Sequence, residues 1–214
     1  MSRLGRSLAN TAARAVARVL FRMDAQGLER IPMRGPYILV SNHVTAFELP
    51  ALQSLLLPRV VRTIAKVESW DRKLLAWVLN QWDAIPIKRG ESDMGALRES
   101  LQVLKDGGIL GIMPEGTRSG DGRLGYGNPG VTVIAVKSGC PIVPMAFWGV
   151  EMTKANIKRW RRTKFHFRAG DPFYLEVPLG KLTREDRQRM ADDVMRHIAN
   201  LLPDDYRGVY QQPG

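Results

Sequence analysis

Apolar and polar positions fall into short blocks along this chain, and the block lengths predict strands and helices in turn. Residues 37–41, 60–65, 84–88, 109–113 and 142–147 are apolar runs of strand length, and 164–168 alternates like a half-buried strand. Between them, 47–57, 70–81, 92–105 and 130–137 carry helical spacing, and 184–202 is a final amphipathic helix. Pro58 stops the first of these, and Gly107-Gly108 ends the third. Strand and helix alternating at this interval predict an α/β fold, a central, largely parallel mixed sheet flanked by helices.

The first turns of the chain follow a different pattern. Residues 3–23 read as one helix, without proline and without an acid before Asp24. At 100° per residue Leu4, Leu8, Ala12, Ala15, Val16, Val19 and Met23 share one face. Arg3, Arg6, Arg14 and Arg18 take the other, Arg22 sits at the border, and Phe21 falls on the polar side. Such a helix suits an anionic membrane surface; a cleavable transit segment and a helix packed on the core have the same pattern. The expected division is therefore an amphipathic helix over 1–25 and a single α/β domain over 26–214.

Charge changes the picture. Thirty-two Lys and Arg against 21 Asp and Glu leave a formal +11, which favours anionic lipid, phosphorylated substrates or nucleic acid. No helix-turn-helix, RRM or zinc signature accompanies it, so no nucleic-acid partner is expected. One cysteine and three scattered histidines leave no disulfide and no metal-ligand spacing. No run reaches the roughly 18 apolar residues of a bilayer span, so any membrane contact is expected to be peripheral, on the cytoplasmic face.

In an open parallel sheet, ligands bind beyond the carboxyl ends of the strands. The residues following the expected strands are Asn42, His43 and Glu48; Lys66 and Glu68; Lys88 and Arg89; and Glu115, Gly116, Thr117, Arg118 and Ser119. A histidine side chain can accept a proton near neutral pH, and at His43 a carboxylate five residues on is placed to orient the ring, leaving one nitrogen as a base. A histidine bonded to backbone at a strand end is the other role open to it. No nucleophile-elbow motif lies beside it, which favours direct transfer over a covalent intermediate. The 114–119 turn has glycine for close approach and an arginine suited to phosphate, but no Walker or dinucleotide pattern. An ordinary glycine-rich loop would read the same way.

These blocks resemble the glycerolipid acyltransferases typified by 1-acyl-glycerol-3-phosphate acyltransferase, over about residues 27 to 149. Ser41-Asn42-His43-Val44-Thr45-Ala46-Phe47-Glu48 is similar to the family's histidine with an aspartate at this spacing. Ile85-Pro86-Ile87-Lys88-Arg89 resembles its second block. Met113-Pro114-Glu115-Gly116-Thr117-Arg118-Ser119 resembles F-P-E-G-T-R-S, and Ile142-Val143-Pro144-Met145 the fourth block. Ala65-Lys66-Val67-Glu68 is similar to a segment between the first two.

The resemblance implies that His43 takes the proton of an acceptor hydroxyl attacking an acyl thioester. It implies that Lys66, Lys88, Arg89, Thr117 and Arg118 serve the phosphorylated acceptor, with Glu115 and Gly116 shaping its site. The donor would be acyl-CoA or acyl-carrier protein, with no further cofactor, and the product phosphatidic acid. Another lysolipid or an aminolipid is an alternative acceptor, and a non-catalytic membrane-surface protein an alternative role. The chain departs from the family pattern at Glu48, whose extra methylene moves the carboxylate by about 1.5 Å.

Other segments leave alternatives open. Trp70, Leu74, Leu75, Trp77 and Val78 have the spacing of a core helix or of an acyl-chain channel. The basic stretch 158–162, holding Trp160, suits anionic lipid, coenzyme A phosphates or nucleic acid, and equally a solvated loop. His166 and Cys140 read as structural.

Overall fold

Tyr37–Ser41 (β2) is buried along its whole length, as expected of a central strand covered on both faces. The computed structural model describes residues 3–88 and 93–211. Its strands are Phe21–Gln26 (β1), β2, Val61–Lys66 (β3), Ile85–Ile87 (β4), Ile109–Ile112 (β5), Ile142–Trp148 (β6) and Thr163–Ala169 (β7). They form one seven-stranded sheet in the order β1-β7-β6-β2-β5-β3-β4. All pairings are parallel except β6 with β7. β1 and β7 therefore run against the other five, and begin at the edge where those five end.

The helices are Arg3–Leu20 (α1), Glu48–Leu56 (α2), Lys73–Gln81 (α3), Met94–Lys105 (α4), Gly130–Ser138 (α5), Thr153–Lys158 (α6) and Arg184–Ala199 (α7). Because successive strand residues point to opposite faces, β2 feeds two cores. Ile38 and Val40 join Leu110, Ile134, Val194 and Ile198 on the side of α4, α5 and α7. Tyr37 and Leu39 join Val143, Phe147, Phe165 and Leu52 on the side of α1 and α2. The last helix begins at a reciprocal cap, in which Thr183 accepts from the Asp186 N–H and Asp186 accepts from the Thr183 N–H.

The chain departs from the sequence reading at several places. The first helix stops at Leu20 instead of Met23, and Phe21 opens an edge strand. Phe21 is fully buried against Phe165, ring centroids 5.4 Å apart, which explains an aromatic on the polar side of the helical pattern. α1 also packs by a different face from its bulkiest one. Ala9, Ala13 and Ala17 are buried, whereas Leu4, Leu8, Val16 and Val19 are exposed. Small residues let this helix lie close to α2, and the large apolar residues are left outward.

The helix expected over 70–81 begins later, at Lys73, after a 3-10 turn at Val67–Asp71. Its aromatic and leucine positions are not a core stripe, because Leu74 and Trp77 are exposed and Leu79 is the buried residue. The helix expected from 92 starts at Met94, with the Asp93 side chain accepting from the Ala96 N–H; Ser92 lies outside the described residues. Among the described residues no helix is long and apolar enough to cross a membrane.

Candidate active site

Strand β2 delivers Asn42 and His43 at its carboxyl end, and the surrounding chain pins both. The Asn42 amide donates to the Phe147 carbonyl at 2.8 Å and accepts from the Phe147 N–H at 3.0 Å. It thus extends the β2–β6 pairing one step past the last strand residue. The His43 N–H donates to Glu115 Oε1 at 2.9 Å, and the His43 carbonyl accepts from the Ser119 N–H at 2.9 Å. Val44 follows suit, its carbonyl accepting from the Gly120 N–H at 3.1 Å. The loop after β5 is therefore stitched along the segment that carries the histidine.

Glu48 lies at the start of α2, where a carboxylate is favoured by the unpaired N–H groups of the first turn. Its side chain is 1% exposed. Oε1 is 2.5 Å from His43 Nδ1, and Oε2 accepts from the Thr45 N–H at 2.6 Å and the Thr45 hydroxyl at 3.1 Å. The Val44 N–H lies 3.3 Å from Oε1. Thr45 turns the chain beneath this carboxylate, and its hydroxyl also accepts from the Phe47 N–H. With Nδ1 bonded to Glu48, Nε2 is the ring nitrogen left for a reacting group, and the His43 side chain is 16% exposed.

Glu115 does structural work at this edge. Its second oxygen accepts from the Gly125 N–H at 3.2 Å, so one carboxylate ties the histidine backbone to the far side of its own loop. Burial pushes the Glu115 carboxyl above its usual range, opposed by the His43 and Gly125 N–H groups. Gly116 has φ of +67°, a left-handed conformation, and its N–H closes a turn onto the Met113 carbonyl at 3.0 Å. Beyond that turn Thr117 and Arg118 are exposed.

The remaining predicted cations stand along the same edge. Lys66 ends β3 and Lys88 follows β4. Adjacent strands lie about 4.8 Å apart, which puts them about 10 and 14 Å from the β2 line. The Lys88 N–H donates to Asp93 Oδ2 at 3.0 Å, and this bond leads those that hold the Asp93 carboxyl below its usual range. None of Lys66, Lys88 and Arg118 forms an ion pair among the described residues. Arg89 lies outside the described residues.

Sequence reasoning did not assign Asn42, Thr45 and Ser119 the holding roles they have here. Their places beside the histidine and arginine were the available signal. His166 is structural: its Nδ1 is 2.8 Å from Asp24 Oδ2, and its ring stacks on Trp148 with centroids 4.9 Å apart.

The site can be set beside known proteins. A family model described as "Acyltransferase" matches residues 22–148, over half of the chain. The chain is 30% identical over 196 residues to a 1-acyl-sn-glycerol-3-phosphate acyltransferase of Pseudomonas aeruginosa, covering 90% of this chain and 75% of that one. It is 33% identical over 132 residues to the chloroplastic 1-acyl-sn-glycerol-3-phosphate acyltransferase BAT2 of Brassica napus, covering 60% of this chain and 38% of the plant one. The matched segment thus spans little more than a third of that plant relative. The crystal structure of the 1-acyl-sn-glycerophosphate acyltransferase PlsC from Thermotoga maritima superposes with a TM-score of 0.68 at 26% identity, covering 92% of this chain and 79% of that one. With a histidine–carboxylate pair at the strand edge and these relatives, the chain belongs to the acyltransferase family that includes the 1-acyl-sn-glycerol-3-phosphate acyltransferases.

Proposed function

We propose that this chain transfers a fatty acyl group from a thioester to the free hydroxyl of 1-acyl-glycerol-3-phosphate, giving phosphatidic acid. The reading rests above all on the 2.5 Å contact between His43 Nδ1 and Glu48, which leaves Nε2 open beside the glycine–arginine turn. In the proposed reaction Nε2 takes the hydroxyl proton as the oxygen attacks the thioester carbonyl. The tetrahedral intermediate collapses, the C–S bond breaks, and the imidazolium returns the proton to the leaving sulfur. Glu48 holds the ring and favours its protonated form during the step. Arg118, Lys66 and Lys88, with Arg89, supply charge for the acceptor phosphate, and the Gly116–Thr117 turn brings backbone close to it. The donor is acyl-CoA or acyl-carrier protein, and the thioester itself supplies the activated carbonyl.

The acceptor is a lipid, so the reading places the protein peripherally on an anionic membrane surface, on its cytoplasmic face. The outward Leu4, Leu8, Val16 and Val19 of α1, beside exposed Arg14 and Arg18, support this.

The test is transfer of a labelled acyl group to lysophosphatidic acid in mixed micelles by purified protein, with each donor in turn. Product is expected with at least one donor, and His43→Ala should lower kcat by roughly a thousandfold or more. Undiminished transfer by His43→Ala, or no transfer from either donor, would overturn the reading.

A further inference from the structure

The turn between α6 and β7 places a tryptophan where the backbone favours glycine. The Trp160 N–H donates to the Ile157 carbonyl at 3.1 Å, and the Arg161 N–H donates to the Asn156 carbonyl at 2.9 Å. This paired closure of a helix end requires a left-handed residue, and Trp160 supplies it with φ of +53°. For a bulky L-residue that conformation is strained. The indole gains nothing from the fold in return, being 98% exposed. A strained residue presenting a large apolar ring to solvent is an outlier that points to a use outside the fold.

The surroundings identify that use. Lys154, Lys158, Arg159, Arg161, Arg162 and Lys164, in the same segment of chain, are all exposed. None of them forms an ion pair among the described residues. Exposed Ile157 adds apolar surface one helical turn back. An exposed indole in a segment of exposed cations without ion pairs matches the chemistry of an anionic lipid–water interface, where tryptophan settles at headgroup depth.

Two links join this turn to the rest of the molecule. Arg162 donates to the Phe21 carbonyl, directly after α1, and Phe21 pairs with Thr163 across the β1–β7 ladder. The turn is thereby stapled to the end of α1 that exposes Val16 and Val19. It also lies at the start of β7, which is antiparallel to β6 with His166 opposite Trp148. That is the edge at which Asn42 bonds Phe147 and His43 follows.

We propose that the Trp160 turn is a second lipid anchor, which together with α1 sets the His43 edge of the sheet against an anionic bilayer. This rests on the membrane-surface reading of α1 and is tested separately from it. The experiment is sedimentation of the purified full chain with phosphatidylcholine vesicles, with and without phosphatidylglycerol. Trp160→Gly suits the left-handed position, so its melting temperature should equal or exceed the parent's.

The parent should bind the phosphatidylglycerol vesicles, and Trp160→Gly should bind them about tenfold more weakly. Arg159→Gln with Arg161→Gln should weaken binding to those vesicles and leave the weak binding to phosphatidylcholine unchanged. Equal binding by parent and Trp160→Gly would overturn the second anchor while leaving α1 its role. Failure of the parent to bind any vesicle would overturn both. Unchanged vesicle binding with a raised KM for acyl-carrier protein would assign the turn to a protein partner and overturn the lipid proposal.

Discussion

Glu48 Oε1 lies 2.5 Å from His43 Nδ1, and the other oxygen of the same carboxylate takes the N–H and hydroxyl of Thr45. One buried acid therefore sets both the ring and the turn on which the ring stands. The longer side chain of a glutamate thus reaches the ring and the Thr45 turn together.

Replacing Glu48 by Gln leaves one acceptor oxygen where two are in use, because the amide nitrogen cannot accept from either donor. Either the ring or Thr45 loses its partner. kcat should fall by roughly a hundredfold or more with KM little changed. Glu48→Asp should stay within about tenfold of the parent, since a small shift of the turn restores the contact. Steady-state kinetics of acyl transfer decide both. A fully active Glu48→Gln would remove the orienting role.

Arg118 is exposed and without an ion pair among the described residues, and it directly precedes Ser119, whose N–H donates to the His43 carbonyl. Arg118→Ala should raise KM for a phosphorylated acceptor by roughly tenfold, the size of one charge-assisted hydrogen bond. A phosphate-free acceptor should be indifferent. Comparing the two acceptors at constant ionic strength separates phosphate binding from general loss of charge.

These two residues show what could be read in the chain beforehand. Strand β2 and the residues at its end were legible because a short apolar run ended in an unusual polar cluster. That the other clusters join it follows from the rule that parallel strands present their carboxyl ends together. What the sequence could not show was non-local. β1 pairs with a strand whose residues lie over 140 positions away, so nothing nearby marked residues 21–26 as extended. Phe21 was the only sign, as an aromatic on the wrong side of a helix. Which face of α1 meets the rest of the fold was not legible for a related reason. Helical spacing weights large apolar residues, whereas the neighbouring helix selected Ala9, Ala13 and Ala17, which allow close approach. Glu115 and Asn42 were visible as polar residues at strand ends, but their backbone partners sit on other elements.

Phe21 and Leu8 make opposite predictions about that first segment. Phe21→Ala removes a fully buried ring and should cost about 3–5 kcal/mol in urea unfolding. Leu8→Ala removes a side chain that is 55% exposed and should change stability by about 0.5 kcal/mol or less. Equal losses would mean that α1 and β1 are packed by other faces.

The hydroxyls of Tyr37, Tyr206 and Tyr210 are each pushed up to about 12, first by burial. Each hydroxyl also donates a hydrogen bond, Tyr37 to the Pro32 carbonyl at 2.9 Å, Tyr206 to Glu151 at 2.8 Å and Tyr210 to Asp192 at 2.9 Å. In the unfolded chain a tyrosine loses its proton near pH 10. The folded state therefore holds more protons between pH 10 and 12. The stability these groups contribute is complete below pH 10 and is lost as pH rises through 12. Of the five tyrosines, these three should develop tyrosinate absorbance late, near pH 12, where the stability they contribute is also lost. Unfolding and late tyrosinate absorbance should therefore coincide in an alkaline titration. In Tyr206→Phe the late absorbance step should shrink by one tyrosine.

The stitching around His43 divides this edge into two grades of mutability. Asn42, Glu48 and Glu115 each satisfy partners on a second element, so a substitution there disturbs two places at once. Among the described residues, Thr117, Arg118, Lys66 and Lys88 hold no such obligations through their side chains. On the proposed function, drift among the latter would retune which head group is accepted while the His43–Glu48 geometry is inherited intact. A laboratory library aimed at new acceptors belongs at those four positions, with the histidine segment left as it stands.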